Sequence, residues 1–268
     1  MSDKEWQSTD YLQKLRLDGR GYVVLGAGSG IGGQVCRAFT QAGARVICVD
    51  IQADVAKMTA EAVGGIAMQA DVTSRADMTA VFERANSEFG KQFAGAVVVV
   101  GHPVPAPGPI GSYDDEGLFR QYQLVLHPGV VTTQIAGPML AANGGGTITL
   151  VGSLAGLRST KRVAMYGTAK AALHSFAMFA ADEYGPSGVR INVAVPGRIK
   201  ASGTVDPAPE VWERVARGIP LRRIGVPSEI AGTILFLTSD LASYISGQVI
   251  VVDGGISGVS ALPSSLVA

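Results

Sequence analysis

Ser153 stands thirteen positions before Tyr166, and Tyr166 opens the pentad Tyr166-Gly167-Thr168-Ala169-Lys170, so a hydroxyl, a phenol and an ammonium are available together. These types suit proton transfer coupled to a change at carbon. On a helix beginning near residue 166, Tyr166 and Lys170 fall at i and i+4 on one face, where the ammonium acts electrostatically on the phenol. A phenol ordinarily titrates near 10, too high for a base at neutral pH, and a neighbouring cation favours the phenolate. Ser153 can then hydrogen-bond a substrate oxygen and hold it near Tyr166. Because Tyr-x-x-x-Lys recurs by chance in helices, the surrounding elements decide its meaning.

Those elements are legible as apolar runs. Thr147-Ile148-Thr149-Leu150-Val151 reads as a buried strand that delivers Ser153 at its carboxyl end, where open α/β sheets place their chemistry. Further strands are expected near 21–25, 45–49, 65–69, 94–100, 189–194 and 248–252, with helical stretches between them. The alternation predicts a Rossmann-type, doubly wound parallel α/β sheet of about seven strands, with helices on both faces and right-handed crossovers. No linker divides residues 1–268, so a single domain is expected. Residues 1–16 form an amino-terminal extension with a short helix over Tyr11-Leu12-Gln13-Lys14-Leu15. Residues 200–220 contain Pro207, Pro209 and Trp212.

Near the amino end, Tyr22-Val23-Val24-Leu25 passes directly into Gly26-Ala27-Gly28-Ser29-Gly30-Ile31-Gly32 and then a helical segment. A strand, a glycine turn and a helix let the backbone approach a pyrophosphate, with free N–H groups and a favourable dipole at the helix start. The second strand ends in Asp50, where a carboxylate accepts hydrogen bonds from an adenosine ribose. No Lys or Arg lies in the turn or just after Asp50, where Ile51 and Gln52 follow, so a ribose 2′-phosphate meets repulsion. NAD is therefore expected in preference to NADP.

Together these residues resemble the short-chain dehydrogenase/reductase family over about residues 15–255. Gly26, Gly30 and Gly32 have its Gly-x-x-x-Gly-x-Gly spacing, and Asp71-Val72 is similar to its adenine-contacting pair. Ser153, Tyr166 and Lys170 stand at its catalytic intervals, Asn192-Val193-Ala194-Val195-Pro196-Gly197 is similar to the stretch beside the nicotinamide, and Gly247-Gln248 through Gly255 resembles the closing strand. The resemblance implies dinucleotide contacts at Gly26, Ser29, Gly30, Ile31, Gly32, Asp50, Ile51, Asp71, Val72, Gly101, Tyr166, Lys170, Pro196, Gly197 and Ile199. It implies an NAD-dependent interconversion of a secondary alcohol and a ketone. It also implies a homo-oligomer, dimer or tetramer, built on helices around 115–142 and 164–184.

Three departures stand out. Leu25 replaces the threonine that usually precedes the first glycine and ties the turn to a neighbouring loop. Val98-Val99-Val100-Gly101 replaces Asn-Asn-Ala-Gly, so packing alone is expected to hold that segment. The asparagine that bends the long helix and holds a relay water behind the lysine has no counterpart: Leu126 or His127 falls there, and Pro128 can supply the bend. Two other readings stay open on these grounds. One is a catalytically impaired dinucleotide-binding scaffold. The other is a cofactor-independent lyase of the halohydrin dehalogenase type, which the glycine turn and Lys170 oppose.

Lys plus Arg and Asp plus Glu balance at 22 each, which gives no reason to expect nucleic acid or an acidic membrane as partner. Cys36 and Cys48 read as buried thiols in a helix and a strand, and no Cys/His cluster has metal-ligand spacing. No segment reads as a signal or as a bilayer span, so a reduced cytoplasm is the expected location. Three loops should choose a small-molecule substrate: the proline-rich stretch 102–110, the stretch 154–165 with Arg158, Lys161 and Arg162 expected to face solvent, and residues 200–220, which resemble the family's substrate lid. Their apolar character suggests a hydrophobic or cyclic compound.

Overall fold

The structure, a computed structural model, describes residues 9–103, 107–200 and 208–258. One seven-stranded, wholly parallel sheet runs in the order β3-β2-β1-β4-β5-β6-β7. Its strands are β1 (Gly21–Leu25), β2 (Arg45–Asp50), β3 (Ile66–Gln69), β4 (Phe93–Val98), β5 (Gly146–Val151), β6 (Val189–Pro196) and β7 (Val249–Val252). The order reverses between β1 and β4, which opens a crevice at their carboxyl ends. β1 shows how the sheet is held. Val23 and Leu25 enter one core, with Phe82, Val131 and Leu173, while Tyr22 and Val24 enter the other, with Val35, Phe39 and Ile234. Burial on both faces explains why the central strands read as continuous apolar runs.

Helices α2 (Ile31–Gln41), α3 (Ala53–Val63) and α9 (Pro227–Thr238) supply side chains to one core. α4 (Arg75–Phe89), α6 (His127–Ala142) and α7 (Ala164–Tyr184) supply the other. The expected short helix is present as α1 (Tyr11–Leu15), capped by the Asp10 carboxylate, and it buries none of its own residues. Cys36 on α2 and Cys48 on β2 are buried free thiols with their sulfurs 3.5 Å apart.

The helix expected around 115–142 is broken. α5 (Asp115–Val125) ends and α6 begins at Leu126, with Pro128 in the first turn of α6, where its missing N–H costs no bond. By length and composition alone the 115–142 stretch could cross a membrane, contrary to the expectation that no segment would. Half of its apolar window is buried inside the protein, as in the core helix of a globular fold.

Candidate active site

Ser153 leaves β5 as the cap of a short 3-10 turn, with its hydroxyl accepting the Ala155 N–H at 3.2 Å. Tyr166 and Lys170 lie one turn apart on α7, and the ammonium sits 5.8 Å from the centre of the Tyr166 ring. The Ser153 hydroxyl lies close enough to the Tyr166 phenol to favour its ionised form. Ser153, Tyr166, Pro196 and Gly197 line one cavity of about 200 Å³. The three sequence-predicted groups are thus brought together at the carboxyl end of the sheet.

Lys170 is 1% exposed, and its ammonium donates to two backbone carbonyls, Val151 O at 2.7 Å and Val100 O at 3.4 Å. Burial pushes its pKa down to about 7. The phenol does not follow the expected lowering. Burial raises the Tyr166 pKa, and the nearby Ser153 hydroxyl offsets this only in part, because a desolvated phenolate is disfavoured and the ammonium beside it is itself easily discharged.

His174, a further turn along α7, packs against the site, a placement that its isolation in the sequence hid. It is 5% exposed, and its Nε2 accepts the Ser153 backbone N–H at 3.4 Å. The ring fills the space that side chains at Gly152 and Gly156 would need: a β-carbon at Gly156 would stand 2.7 Å from Cε1, and one at Gly152 would run into Nε2. Burial, reinforced by the Lys170 charge, lowers its pKa to about 4. The signal that could have found it is its spacing of four and eight residues from Lys170 and Tyr166.

The glycine turn closes as its spacing implies. Gly26 has φ +83° and donates to Val49 O, and a side chain at Gly32 would collide with the Gly26 carbonyl. Gly30 starts α2 without a side-chain cap, and Ser29 is exposed at the tip, which leaves the first N–H groups of the helix available to an anion. Ile31 packs against the core below. Asp50 lies beside the turn: its Oδ2 would be 3.5 Å from a β-carbon on Gly28, a glycine the sequence reading did not select. Ile51 and Asp71 line a cavity of about 580 Å³ with His102 and Phe119, whereas the Val72 side chain turns into the core. Gly101, at φ +117°, passes against the Lys170 ammonium. Gly197 donates to Val252 O, and Ile199 bridges to Gly225.

The departures have identifiable replacements. Thr59 on α3 donates from its hydroxyl to Ala27 O at 2.7 Å, tying down the turn that Leu25 cannot. The 98–101 segment is not held by packing alone, as expected. Val99 N–H donates to Leu25 O and Val100 O accepts from Lys170, while the Val100 side chain closes on Gly26. Gln121, buried on α5, donates to His102 O. His127 Nδ1 is buried without a partner among the described residues, and the Lys170 ammonium is already served by backbone carbonyls.

Of the substrate loops, residues 104–106 and 201–207 lie outside the described residues, and Pro207 with them. The stretch expected as a lid is described from residue 208, where it forms α8 (Pro209–Arg217), which carries Trp212. Arg158, Lys161 and Arg162 are all exposed, but Arg158 also lines the cavity of Ser153 and Tyr166, so its expected orientation to solvent is only half of its placement.

Residues 26–257 match the family model described as enoyl-(acyl carrier protein) reductase. The 7alpha-hydroxysteroid dehydrogenase of Escherichia coli K12 is 32% identical over 252 residues, covering 90% of this chain and 95% of the relative. The galactitol 2-dehydrogenase (L-tagatose-forming) of Cereibacter sphaeroides is 35% identical over 258 residues, covering 92% and 98%. A solved 7 alpha-hydroxysteroid dehydrogenase, complexed with NADH and 7-oxo glycochenodeoxycholic acid, superposes with a TM-score of 0.86 at 31% identity, covering 92% of this chain and 98% of that one.

Proposed function

The chain belongs to the short-chain dehydrogenase/reductase family, and from that premise we propose an NAD-dependent enzyme that interconverts a hydrophobic or cyclic secondary alcohol and its ketone. It is an oxidoreductase of CH–OH groups that uses a nicotinamide dinucleotide. When bound, that cofactor supplies the hydride acceptor or donor. The observation that carries the rest of the reading is the single cavity shared by Ser153 and Tyr166 above the buried ammonium of Lys170.

In this reading Ser153 hydrogen-bonds the substrate oxygen and Tyr166 moves the proton to or from it. Lys170 holds positive charge under the phenol ring and reaches the nicotinamide ribose. The Tyr166 pKa, raised by burial, suits proton donation to an alkoxide during reduction; proton removal during oxidation needs added positive charge at the site. Gly26, Ser29, Gly30, Ile31 and Gly32 would cradle the pyrophosphate, Asp50 and Ile51 the adenosine ribose, Asp71 and the Val72 backbone the adenine, and Gly101, Pro196, Gly197 and Ile199 the nicotinamide half. The carboxylate of Asp50 beside Gly28 supports NAD over NADP. Phe119 on α5 is 72% exposed and Phe179 on α7 is 73% exposed, which supports a dimer or tetramer through those helices. A single-domain cytoplasmic enzyme completes the reading.

The test is oxidation of a panel of secondary alcohols under NAD and NADP in parallel, with wild type and Tyr166→Phe. Tyr166-dependent NADH formation is expected. Binding of NADH with no Tyr166-dependent turnover would favour a scaffold, and turnover without any dinucleotide a lyase.

A further inference from the structure

We propose that the Ser153–Tyr166 cavity takes an alcohol or ketone carrying an anionic group, a carboxylate, sulfonate or phosphate, bound by Arg158 and Arg198; this rests on the dehydrogenase reading above. Both arginines line the same cavity as Ser153 and Tyr166, one from the turn after β5 and the other from the segment after β6. Neither segment carries a counter-charge. Residues 153–181 and 186–205 contain Arg158, Lys161, Arg162, Arg198 and Lys200 among their cations, and no Asp or Glu at all. In a chain whose charges balance at 22 each, this is a local surplus in sequence, and two of its members, Arg158 and Arg198, line the reactive pocket.

The arginines are also free to act. Arg198 has no ion pair among the described residues. Arg158 donates from Nη1 to Ile256 O at 3.1 Å, which orients the guanidinium and leaves its other N–H groups unspent. The acid close enough to act on Arg158 is Asp253, whose oxygens already accept the backbone N–H groups of Gly255 at 2.8 Å and Ser257 at 2.7 Å. A guanidinium binds a carboxylate or phosphate through parallel N–H bonds, and a surplus of one sign lining a cleft speeds the arrival of the opposite sign. Leu154, Val163 and Pro196 line the same cavity and give it apolar walls. The substrate that fits is therefore amphipathic, with a hydrophobic body bearing the reacting carbon and an anionic end.

The test uses the enzyme–NAD complex, which cannot reduce a ketone, with 4-oxocyclohexanecarboxylate and its methyl ester, two ketones of one shape that differ in charge. Calorimetric affinities are measured in wild type, Arg158→Gln and Arg198→Gln at low and high salt, with the NAD affinity of each variant measured in parallel. The acid is expected to bind at least about tenfold more tightly than the ester, to weaken with salt, and to lose its advantage in either variant. Equal affinities for acid and ester, or no binding of the acid, would overturn the proposal. So would a loss confined to NAD affinity in the Arg198 variant, since that would assign the arginine to the dinucleotide. Tyr166-dependent reduction of acid and ester alike would remove the anion site and leave the dehydrogenase reading intact. Acid preference in binding without Tyr166-dependent turnover would do the reverse.

Discussion

The imidazole of His174 accepts the backbone N–H of Ser153, so the residue that presents the hydroxyl is buttressed from the helix that carries the phenol. An accepting Nε2 requires the neutral ring with its proton on Nδ1, a nitrogen that is buried and has no partner among the described residues. His174→Leu leaves the Ser153 N–H without its acceptor, at a cost of about 1–3 kcal/mol. The expected outcome is reduced stability in urea and a lowered kcat, with dinucleotide affinity retained.

The same ring makes stability depend on acid. His174 titrates near 6.5 when unfolded and at about 4 in the folded protein, so its contribution is fully present above 6.5 and is lost as the pH falls from 6.5 towards 4. The difference of 2.5 units corresponds to at most ~3 kcal/mol. Lys170, at about 7 instead of 10.5, acts in the same direction over the separate interval from 10.5 down to 7. Urea midpoints measured between pH 4 and 8 should fall towards the acid end in wild type and flatten below pH 6.5 in His174→Gln.

Gly101 stands where any side chain would meet Lys170. At φ +117°, a β-carbon would lie 3.2 Å from Nζ and 3.2 Å from Val125 Cγ2. Gly101→Ala therefore carries backbone strain of about 1–3 kcal/mol and pushes the ammonium from Val100 O. Turnover is expected to drop at least about tenfold while circular dichroism still reports a folded chain.

Asp50→Ala removes the carboxylate beside the glycine turn. If that group holds the adenosine ribose, the kcat/KM for NAD falls about tenfold or more, as expected for a lost charge-assisted hydrogen bond of about 1.5–3 kcal/mol, while NADP is affected less. Parallel rates with the two dinucleotides decide it; an unaltered preference would remove the charge argument for NAD.

Thr59→Val keeps the shape of the side chain and deletes the hydroxyl that reaches Ala27 O. The buried carbonyl is left unpaired, at about 1–3 kcal/mol. The urea midpoint should fall and NADH should bind more weakly, although Thr59 lies on α3, away from the turn in sequence.

The central strands were readable because they are buried on both faces, so that Tyr22 to Leu25 or Thr147 to Val151 form unbroken apolar runs. The convergence of Ser153, Tyr166 and Lys170 was readable for a different reason: two of them share a helical face, and the third ends a strand. What stayed hidden depends on partners remote in the chain or on the backbone. Thr59 replaces a hydroxyl missing from position 25, and Lys170 is satisfied by the carbonyls of Val100 and Val151, which no side-chain pattern encodes. Pro128 announced a bend, but the break itself falls at Leu126. Arg158 looked like a solvated loop charge because sequence cannot show that its turn folds back over the pocket.

Tyr166, Lys170 and His174 ride on one unbroken helix, each a turn beyond the last, over a length of about 12 Å. A rod of this kind cannot shift one of them alone. A tilt of α7 would carry the phenol, the ammonium and the imidazole through a common arc, altering the pocket mouth and the Ser153 support in the same stroke. Met178 and Phe179 lie further along that rod and are exposed, which makes its outer end a handle for whatever rests against it.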